Sequence, residues 1–210
     1  MPVPLGRRER GKLDKQGRIH AAAAALFAAR GYSAVTTQEI ADQADVAIGT
    51  LFRYATSKAE LLTMVYNADL RAGIDAGLAA ASPDADPTER IMLLLGPLLS
   101  SGIRQHENMA AYQREILFGD PDGAYRAEAL DLVDRLESSI AGTLSQLAEP
   151  GSEPRLRPGV DVKLAARSIF SALHMEIIRT GLGRETPADL PGTLRAEIDL
   201  LMRGISLPTT

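Results

Sequence analysis

Residues 35–62 of the chain are VTTQEIADQADVAIGTLFRYATSKAELL, and this stretch decides the fold. Thr36 stands before an apolar run and Glu39 follows three residues later, which is the pattern of a capping box at a helix N-terminus. Ile40 begins the apolar face of that helix. Asp45 tolerates the left-handed backbone that a sharp helix exit needs. The pattern therefore predicts a short helix that ends in a tight turn.

A second short helix is predicted after this turn, from about Ala47 to Tyr54. Gly49 inside it costs about 1 kcal/mol of helix stability relative to alanine. The cost suggests that DNA approaches the backbone closely at this point, and relief of internal packing is the alternative. A long third helix is predicted from about Ser57. Two short helices joined by a tight turn are typical of a helix-turn-helix, whose second helix enters the major groove of DNA.

The same stretch resembles the N-terminal DNA-binding domain of the TetR/AcrR-type repressors. The resemblance covers roughly residues 15–66, and its matching positions occur at fixed spacing. The residues that carry it are Thr36, Ile40, Ala41, Ala44, Val46, Gly49, Thr50, Leu51, Phe52, Tyr54, Ser57, Lys58 and Leu61. It implies a three-helix DNA-binding domain followed by a helical domain for ligand binding and dimerisation.

Several positions depart from the family pattern. Ala47 replaces the usual serine cap of the recognition helix, and Ile48 stands where a polar residue is frequent. Phe52 replaces the usual tyrosine and so lacks a phosphate-bonding hydroxyl, which is worth about 0.5–1.5 kcal/mol. Ala55 stands where an aromatic residue is usual. These departures leave the predicted fold intact, but the operator sequence does not follow from the resemblance.

The predicted DNA contacts lie on the two short helices and at the start of the third. Arg53 is the candidate base reader, because a guanidinium can bind guanine O6 and N7 together, and a phosphate contact is nearly as well supported. Lys58 is predicted to bind phosphate together with the N-terminus of its helix. The resemblance implies the same for Thr36. The full set is Thr36, Thr37, Ala47, Ile48, Gly49, Thr50, Phe52, Arg53, Tyr54 and Lys58.

Charge is distributed unevenly along the 210 residues. Residues 1–58 carry nine Lys and Arg against five Asp and Glu, whereas residues 59–210 carry fourteen against twenty-two. Positive potential is therefore concentrated where phosphates would be met. Residues 1–11 are predicted to be a disordered basic arm that lies along phosphates or in a minor groove, and a solvated tail is the alternative.

The rest of the chain predicts an all-α fold with about nine helices in total. We assign residues 12–58 to the helix-turn-helix domain and residues 59–210 to a C-terminal ligand-binding and dimerisation domain. Apolar residues recur at helical spacing in the second part, and Pro/Gly-rich breaks separate the helices. The main breaks lie at 82–87, 119–123 and 149–159.

The last two predicted helices have broader apolar surfaces than one core face of a small bundle requires. We predict that they form a four-helix contact across a two-fold axis, which is also the use that the resemblance implies. Packing within one monomer is the alternative. The predicted interface residues are Leu164, Phe170, Leu173, Ile177, Leu194, Ile198 and Leu201.

An effector site is expected among the C-terminal helices, as a mostly apolar cavity with a few polar anchors. Candidate anchors are Arg104, His106, Tyr112, Gln113, Tyr125 and His174. His174 stands within an apolar stripe, so a hydrogen-bonded core or interface histidine is an equal alternative. Arg104 and His106 have an ordinary surface role as their alternative.

The sequence thus predicts a DNA-binding transcriptional regulator. The favoured form is a repressor that binds a palindromic operator on double-stranded DNA as a homodimer and is released by a small, mostly apolar effector. The alternative is a constitutive DNA-binding protein whose C-terminal domain only dimerises or recruits a protein partner.

Other classes of protein are not supported. An enzyme is not predicted, because the chain has no cysteine, only three histidines and none of the common catalytic motifs. No cofactor and no metal are expected. No apolar run approaches the ~18–20 residues that span a bilayer, and no signal peptide is recognised, so a cytoplasmic location is expected.

Overall fold

The computed structural model describes residues 6–80, 82, 85–149, 155–184, 186 and 188–208, without the side chains of residues 7 and 101–104. Within these ranges the chain is all-α, with nine helices as predicted and no strand. The helices are α1 (Arg7–Arg30), α2 (Thr37–Gln43), α3 (Ile48–Leu51), α4 (Lys58–Ala80), α5 (Pro87–Arg104), α6 (His106–Phe118), α7 (Ala124–Gln146), α8 (Val162–Gly181) and α9 (Leu190–Ile205). The pairing of Leu156 with Ser206 is an isolated antiparallel bridge.

The N-terminal segment is more ordered than the sequence predicts. The prediction was a disordered arm over residues 1–11, whereas α1 begins at Arg7. It is therefore wrong for residues 7–11, because three arginines and one glutamate are good helix formers that outweigh the one glycine among them. Residues 1–5 lie outside the described part of the chain.

The chain divides into two compact units. Unit 1 comprises Met1–Ala68 and Glu107–Ala129, and unit 2 comprises Asp69–His106 and Leu130–Thr210. Unit 1 therefore holds the predicted helix-turn-helix and, in addition, most of α6 and the first turn of α7. Among the described helices, none is long and apolar enough to cross a membrane.

In unit 1, the first three helices enclose an apolar core whose members include Ile19, Phe27, Val35, Ile40, Leu51 and Ala55. The predicted capping box at the start of α2 is confirmed: the Glu39 N–H donates to Thr36 Oγ1 at 3.2 Å, and the Thr36 N–H donates to Glu39 Oε2 at 2.8 Å. Asp45 takes up the left-handed conformation with φ 51°. The next residue, Val46, then donates its N–H to the Ala41 carbonyl at 3.0 Å and closes the turn.

In unit 2, α4 and α5 approach each other at two glycines. A Cβ atom on Gly73 would lie 2.6 Å from Cβ of Pro97, and one on Gly77 would lie 2.9 Å from the carbonyl oxygen of Leu93. Neither position has room for a side chain, so Gly73 lets α4 pack against the Pro97 ring and Gly77 lets it pack against the backbone of α5. We call this contact the α4–α5 seam.

The core of unit 2 is completed by α5, α8 and α9. The fully buried residues that these helices contribute include Ile91, Leu94, Leu95, Ile169, Leu173, Leu190, Leu194 and Ile198. Asp161 caps α8, since its side chain accepts hydrogen bonds from the N–H groups of Lys163 and Leu164. An ion pair between Arg195 and Glu89 joins α9 to α5 at the surface.

Candidate nucleic-acid interface

The turn after α2 leads into a short helical segment, residues 47–54, which we call the recognition segment. The α-helix itself covers only Ile48–Leu51. The helical path continues beyond it, because the Phe52 N–H bonds the Ile48 carbonyl at 3.1 Å and the Tyr54 N–H bonds the Leu51 carbonyl at 2.9 Å. The Leu51 side chain is fully buried and anchors the segment to the core of unit 1.

The side of the recognition segment opposite Leu51 is turned to solvent. Ala47, Gly49, Phe52 and Arg53 are exposed, and Ile48, Thr50 and Tyr54 are half-buried. Residues four apart share a helical face, so Ile48 lies beside Phe52 and Gly49 beside Arg53. The predicted base-reading residues therefore lie on one accessible face.

Gly49 has no partner inside the protein that would require a glycine. A Cβ atom built on it would meet nothing within 4 Å, and its backbone is not in the left-handed region. Within the described residues, internal packing therefore does not require a glycine at this position.

Tyr54, which was predicted to contact DNA, joins the recognition segment to α1. Its hydroxyl donates to the Lys12 carbonyl at 3.2 Å, so its single O–H donor is used within the protein. Arg18 makes a second link, since its Nη1 lies 3.2 Å from both the carbonyl and the Oδ2 of Asp45. These bonds hold α1 beside the recognition segment. The exposed cations that α1 carries at its N-terminal end are Arg8, Arg10, Lys12 and Lys15.

Lys58 lies where the sequence predicts a phosphate contact, but its ammonium is turned into unit 1. Nζ donates to the carbonyls of Tyr32 and Val35, both at 2.9 Å, and lies 4.3 Å from the centroid of the Tyr32 ring. Two of the three ammonium protons are thus used inside the protein. Lys58 holds the loop between α1 and α2 against the start of α4.

The same loop and the last turns of α1 are held by α6, which sequence reasoning missed. Glu107 Oε1 accepts a hydrogen bond from the Ser33 N–H at 2.6 Å, and Asn108 Nδ2 donates to the Phe27 carbonyl at 3.0 Å. Hydrogen bonds from Ser33 lower the pKa of Glu107, and the charge of Lys58 lowers it further. The partners are 74 and 81 residues apart in the chain, so no local pattern could connect them. The one available signal is the position of Asn108, a polar residue beside the apolar Met109. The buried residues of this helix are Asn108, Met109 and Tyr112.

The cap of α2 is electrostatically reinforced. Arg30 Nη1 donates to Glu39 Oε1 at 2.7 Å. This bond, together with those from the backbone and hydroxyl of Thr36, lowers the pKa of Glu39 to about 2. The Thr36 hydroxyl is therefore part of the cap, while Thr37 is half-buried in the first turn. Both threonines stand on the same unit as the recognition segment.

The predicted effector anchors have different environments. Tyr112 is buried, and its hydroxyl donates to Asn67 Oδ1 at 2.9 Å. Asn67 Nδ2 in turn donates to the Tyr125 carbonyl at 2.8 Å and to Glu128 Oε2 at 2.9 Å. Burial, and then the charge of Glu128, raises the pKa of Tyr112. Tyr112 thus belongs to a hydrogen-bonded core within unit 1.

The other anchors are divided between the two units. Gln113 and Tyr125 are half-buried in unit 1, and His106 is half-buried in unit 2. His174, also in unit 2, packs beside the Phe170 ring at a centroid distance of 6.2 Å, and burial lowers its pKa. The side chain of Arg104 lies outside the described part of the structure.

Four of the predicted dimer residues are buried inside unit 2. Leu173, Ile177, Leu194 and Ile198 belong to the core of the protomer and do not reach its surface, so their assignment to an interface is corrected. Periodicity identifies residues that share a face, but it does not say which face meets the protomer's own core. Leu164 is exposed, and Phe170 and Leu201 are half-buried. The large exposed apolar residues of α8, α9 and the turn after α8 are Leu164, Met175, Leu182 and Leu200.

Unit 2 also contains two surface clefts. An apolar groove of about 270 Å³ lies between α8 and α9, lined by Val160, Asp161, Leu164, Ala165, Ser168, Ile169, Leu201 and Ile205. A more polar cleft of about 450 Å³ lies between the start of α5 and the end of α9, lined by residues that include Asp86, Arg157, Asp199 and Arg203. None of the five predicted effector anchors whose side chains are described lines either cleft.

Comparison with known proteins gives consistent matches. Residues 19–65 match the family described as bacterial regulatory proteins, tetR family. Over 190 residues the chain is 27% identical to the HTH-type transcriptional repressor KstR of Rhodococcus jostii, covering 90% of this chain and 83% of that protein. Over 138 residues it is 34% identical to the repressor of the same name from Mycobacterium tuberculosis, covering 65% of this chain and 61% of that protein.

A solved structure extends the similarity to the whole fold. Thermus thermophilus FadR, a TetR-family transcriptional repressor in complex with lauroyl-CoA, aligns with a TM-score of 0.70 and 27% sequence identity. The alignment covers 93% of this chain and 97% of that one.

Proposed function

This chain belongs to the TetR family of bacterial regulatory proteins, and we propose that it represses transcription as a homodimer bound to a palindromic operator and leaves the DNA when a small-molecule effector binds. The observation that carries the DNA-binding part is the recognition segment. It is anchored by Leu51, and Gly49 and Arg53 face outward on it.

The charge of unit 1 supports binding to a phosphate backbone. Exposed Arg8, Arg10, Lys12 and Lys15 lie on the part of α1 that Tyr54 ties to the recognition segment. Cations that neutralise phosphates release counterions, and this supplies most of the non-specific affinity for DNA. We therefore assign the general attraction to α1 and the reading of bases to the recognition segment.

Dimerisation is supported by the exposed apolar residues of unit 2. Leu164 and Leu200 are 59% and 65% exposed, although they lie on helices that also form the core. A second copy that covers this surface would remove them from water and would present two recognition segments. Two segments about 34–36 Å apart can enter successive major grooves and read a palindrome.

The effector class is suggested by a relative. The Thermus thermophilus repressor was solved with lauroyl-CoA, a thioester with a long apolar chain and a charged head, and we propose a long-chain acyl-CoA as the effector of this chain. α4 runs from unit 1 into unit 2, so it is the element through which effector and DNA would influence each other. Such coupling is reciprocal, and operator DNA should weaken the effector by the same factor.

The test begins with selection of bound fragments from random double-stranded DNA by the full-length protein. We expect a palindrome whose half-sites are about one helical turn apart. Lauroyl-CoA should release the selected DNA, while free coenzyme A and laurate serve as controls for the head and the tail. Recovery of no common sequence would refute the proposed function. Specific binding that no acyl-CoA disturbs would refute the effector and favour constitutive binding.

Arg53 provides the matching protein variant. Arg53→Ala should lose about 1–3 kcal/mol of discrimination at one base position, because a bidentate contact to guanine is removed. Its stability should not change, since the side chain is exposed. Arg184→Ala, at an exposed arginine of unit 2, is the control. Binding to non-specific DNA and to the operator can be compared by fluorescence anisotropy. An unchanged base preference would refute the assignment of Arg53 as a base reader.

A further inference from the structure

We infer that the recognition segment reads its operator chiefly through the C5-methyl groups of thymines, beside a single guanine contact made by Arg53. The inference rests on the proposed function and specifies which DNA sequences the site accepts. It follows from the side chains that unit 1 turns outward.

The outward face of the recognition segment is unusually poor in hydrogen-bonding groups. Its side chains at Ala47, Ile48 and Phe52 are apolar, and Gly49 has none. Arg53 is the exposed side chain on this segment with hydrogen-bond donors, while the Thr50 hydroxyl is on a half-buried residue. Residues 47–54 include no Asn, Gln, Asp or Glu, the residue types that read adenine and cytosine by hydrogen bonds.

The major groove offers apolar side chains one type of partner. Every base edge there carries donors or acceptors, and only thymine adds a methyl group. An isoleucine or phenylalanine placed over a cytosine or a purine would cover polar atoms without bonding them, at a cost in desolvation. Over a thymine the same side chain gains apolar contact. An apolar reading face therefore favours thymine through contact with its methyl group. It disfavours the other bases because their polar atoms lose water without gaining a hydrogen bond.

The geometry of the segment allows two such contacts. Ile48 and Phe52 are four residues apart on one face, so they are separated by about 6 Å along the helix axis at ~1.5 Å per residue. Successive base pairs rise by about 3.4 Å, so the two side chains reach positions about two base pairs apart. Phe52 is 43% exposed in the protein alone. Gly49 lies between them, and its missing Cβ lets the face come closer to the bases.

Modified DNA tests the methyl groups directly. Deoxyuridine keeps the pairing, the hydrogen-bond pattern and the phosphate of thymidine and lacks only the methyl. Starting from the selected operator, each thymidine of a half-site is replaced singly by deoxyuridine. We expect wild-type protein to bind about fourfold more weakly for each contacted methyl removed, from about 0.8 kcal/mol per buried methyl-sized group. The same replacement in the spacer between half-sites should change nothing.

Protein variants identify the side chain at each methyl. In Ile48→Ala and Phe52→Ala the deoxyuridine penalty should disappear at the position that the missing side chain contacts and persist at the other. Leu78→Ala is the matched control, because Leu78 is also 43% exposed but lies on α4 in unit 2, and it should keep both penalties. Replacing a contacted thymidine by deoxycytidine should weaken binding, and 5-methyldeoxycytidine at the same position should recover part of the affinity because it restores the methyl group.

The outcomes separate this inference from the proposed function. A selected palindrome that binds equally well with thymidine and deoxyuridine overturns the inference and leaves the repressor in place. A half-site that contains no thymine does the same. If selection yields no common sequence, the proposed function fails and the inference fails with it. Penalties that persist in both Ile48→Ala and Phe52→Ala would assign the methyl reading to other residues and refute the roles of Ile48 and Phe52.

Discussion

Gly49 in the recognition segment and Gly77 in the α4–α5 seam both lie within a helix, but their surroundings are opposite. At Gly77 in the seam, an added Cβ would lie 2.9 Å from both the carbonyl oxygen of Leu93 and Cα of Leu94. At Gly49 an added Cβ would meet nothing within 4 Å. Each glycine lowers helix stability by about 1 kcal/mol relative to alanine. The seam glycine is required by the protein itself, whereas no described residue requires a glycine at position 49, and we propose that Gly49 serves contact with DNA.

The largest effect is expected at the seam. Gly77→Ala should destabilise the protein by about 1–3 kcal/mol, the usual cost of forcing extra atoms into a packed contact. The neighbouring atoms are backbone, which cannot rotate away. The measurement is the free energy of unfolding from urea titration followed by circular dichroism. Gly142→Ala in α7 is the control, since its Cβ would meet nothing within 4 Å, and it should gain about 0.5–1 kcal/mol. Equal stability of Gly77→Ala and wild type would mean that the seam is able to open.

Two cations of unit 1 point in opposite directions: Arg53 is exposed to solvent, and the ammonium of Lys58 is turned into the unit. Lys58→Met keeps the apolar stem and removes the ammonium, which leaves the carbonyls of Tyr32 and Val35 without this donor. A hydrogen bond from a charged donor is worth about 1.5–3 kcal/mol, and the half-buried position places the expected loss near the lower end of that range. The dependence of non-specific DNA binding on salt should not change.

A phosphate contact by Lys58 would give the reverse pattern. Stability would then be preserved, and the slope of log affinity against log salt would fall by about one. Thermal unfolding and a salt titration of the same variant therefore distinguish the two roles. Arg53→Met is the matched comparison, because it removes a cation from the exposed face without breaking any internal bond that the structure describes.

A smaller effect with a distinctive sign is expected at Gly49. Gly49→Ala should raise the free energy of unfolding by about 0.5–1 kcal/mol, because alanine is the better helix former and its methyl has free space. Affinity for the operator should nevertheless fall about tenfold, equivalent to ~1.4 kcal/mol, if the backbone approaches the bases at this residue. A variant that is both more stable and equally tight on DNA would remove the contrast between the two glycines.

Much of the DNA-binding region could be predicted from sequence because its determinants are local. The capping box at Thr36 and Glu39, the left-handed Asp45 and the buried Leu51 lie within sixteen residues, and each follows from a residue type at a short spacing. Propensity and periodicity act over this range. The inward turn of Lys58 could not be predicted, because its carbonyl partners are 26 and 23 residues away.

The remainder of the chain was predictable as helices but not as contacts. Residues such as Leu173 and Leu194 are apolar at helical spacing whether they meet their own core or a second copy, so periodicity could not separate the two uses. The role of α6 in unit 1 depends on hydrogen bonds that join Glu107 to Ser33 in the loop after α1 and Asn108 to Phe27 in α1, both far away in sequence. Contacts between residues so far apart in the chain depend on how the helices pack, and local patterns in a single sequence do not predict them.

The smallest effect concerns the cap that supports the recognition segment, and it depends on pH. Bonds from Arg30 and Thr36 lower the pKa of Glu39 from 4.5 to about 2. A carboxyl whose pKa is lower in the folded than in the unfolded state contributes stability above the unfolded pKa, because the unfolded state then binds protons first as the pH falls. The contribution of Glu39 should therefore be complete above about pH 5 and be lost progressively between pH 4.5 and 2.

Glu39→Gln tests this dependence. The difference in unfolding free energy between wild type and Glu39→Gln should be constant from about pH 7 to 5 and should shrink below about pH 4.5, as protonation removes the charge from the wild type as well. Because the α2 cap fixes the helix that precedes the turn into the recognition segment, Glu39→Gln should also weaken operator binding slightly at neutral pH. A pH-independent difference would mean that the charge on Glu39 does not contribute to the stability of the cap.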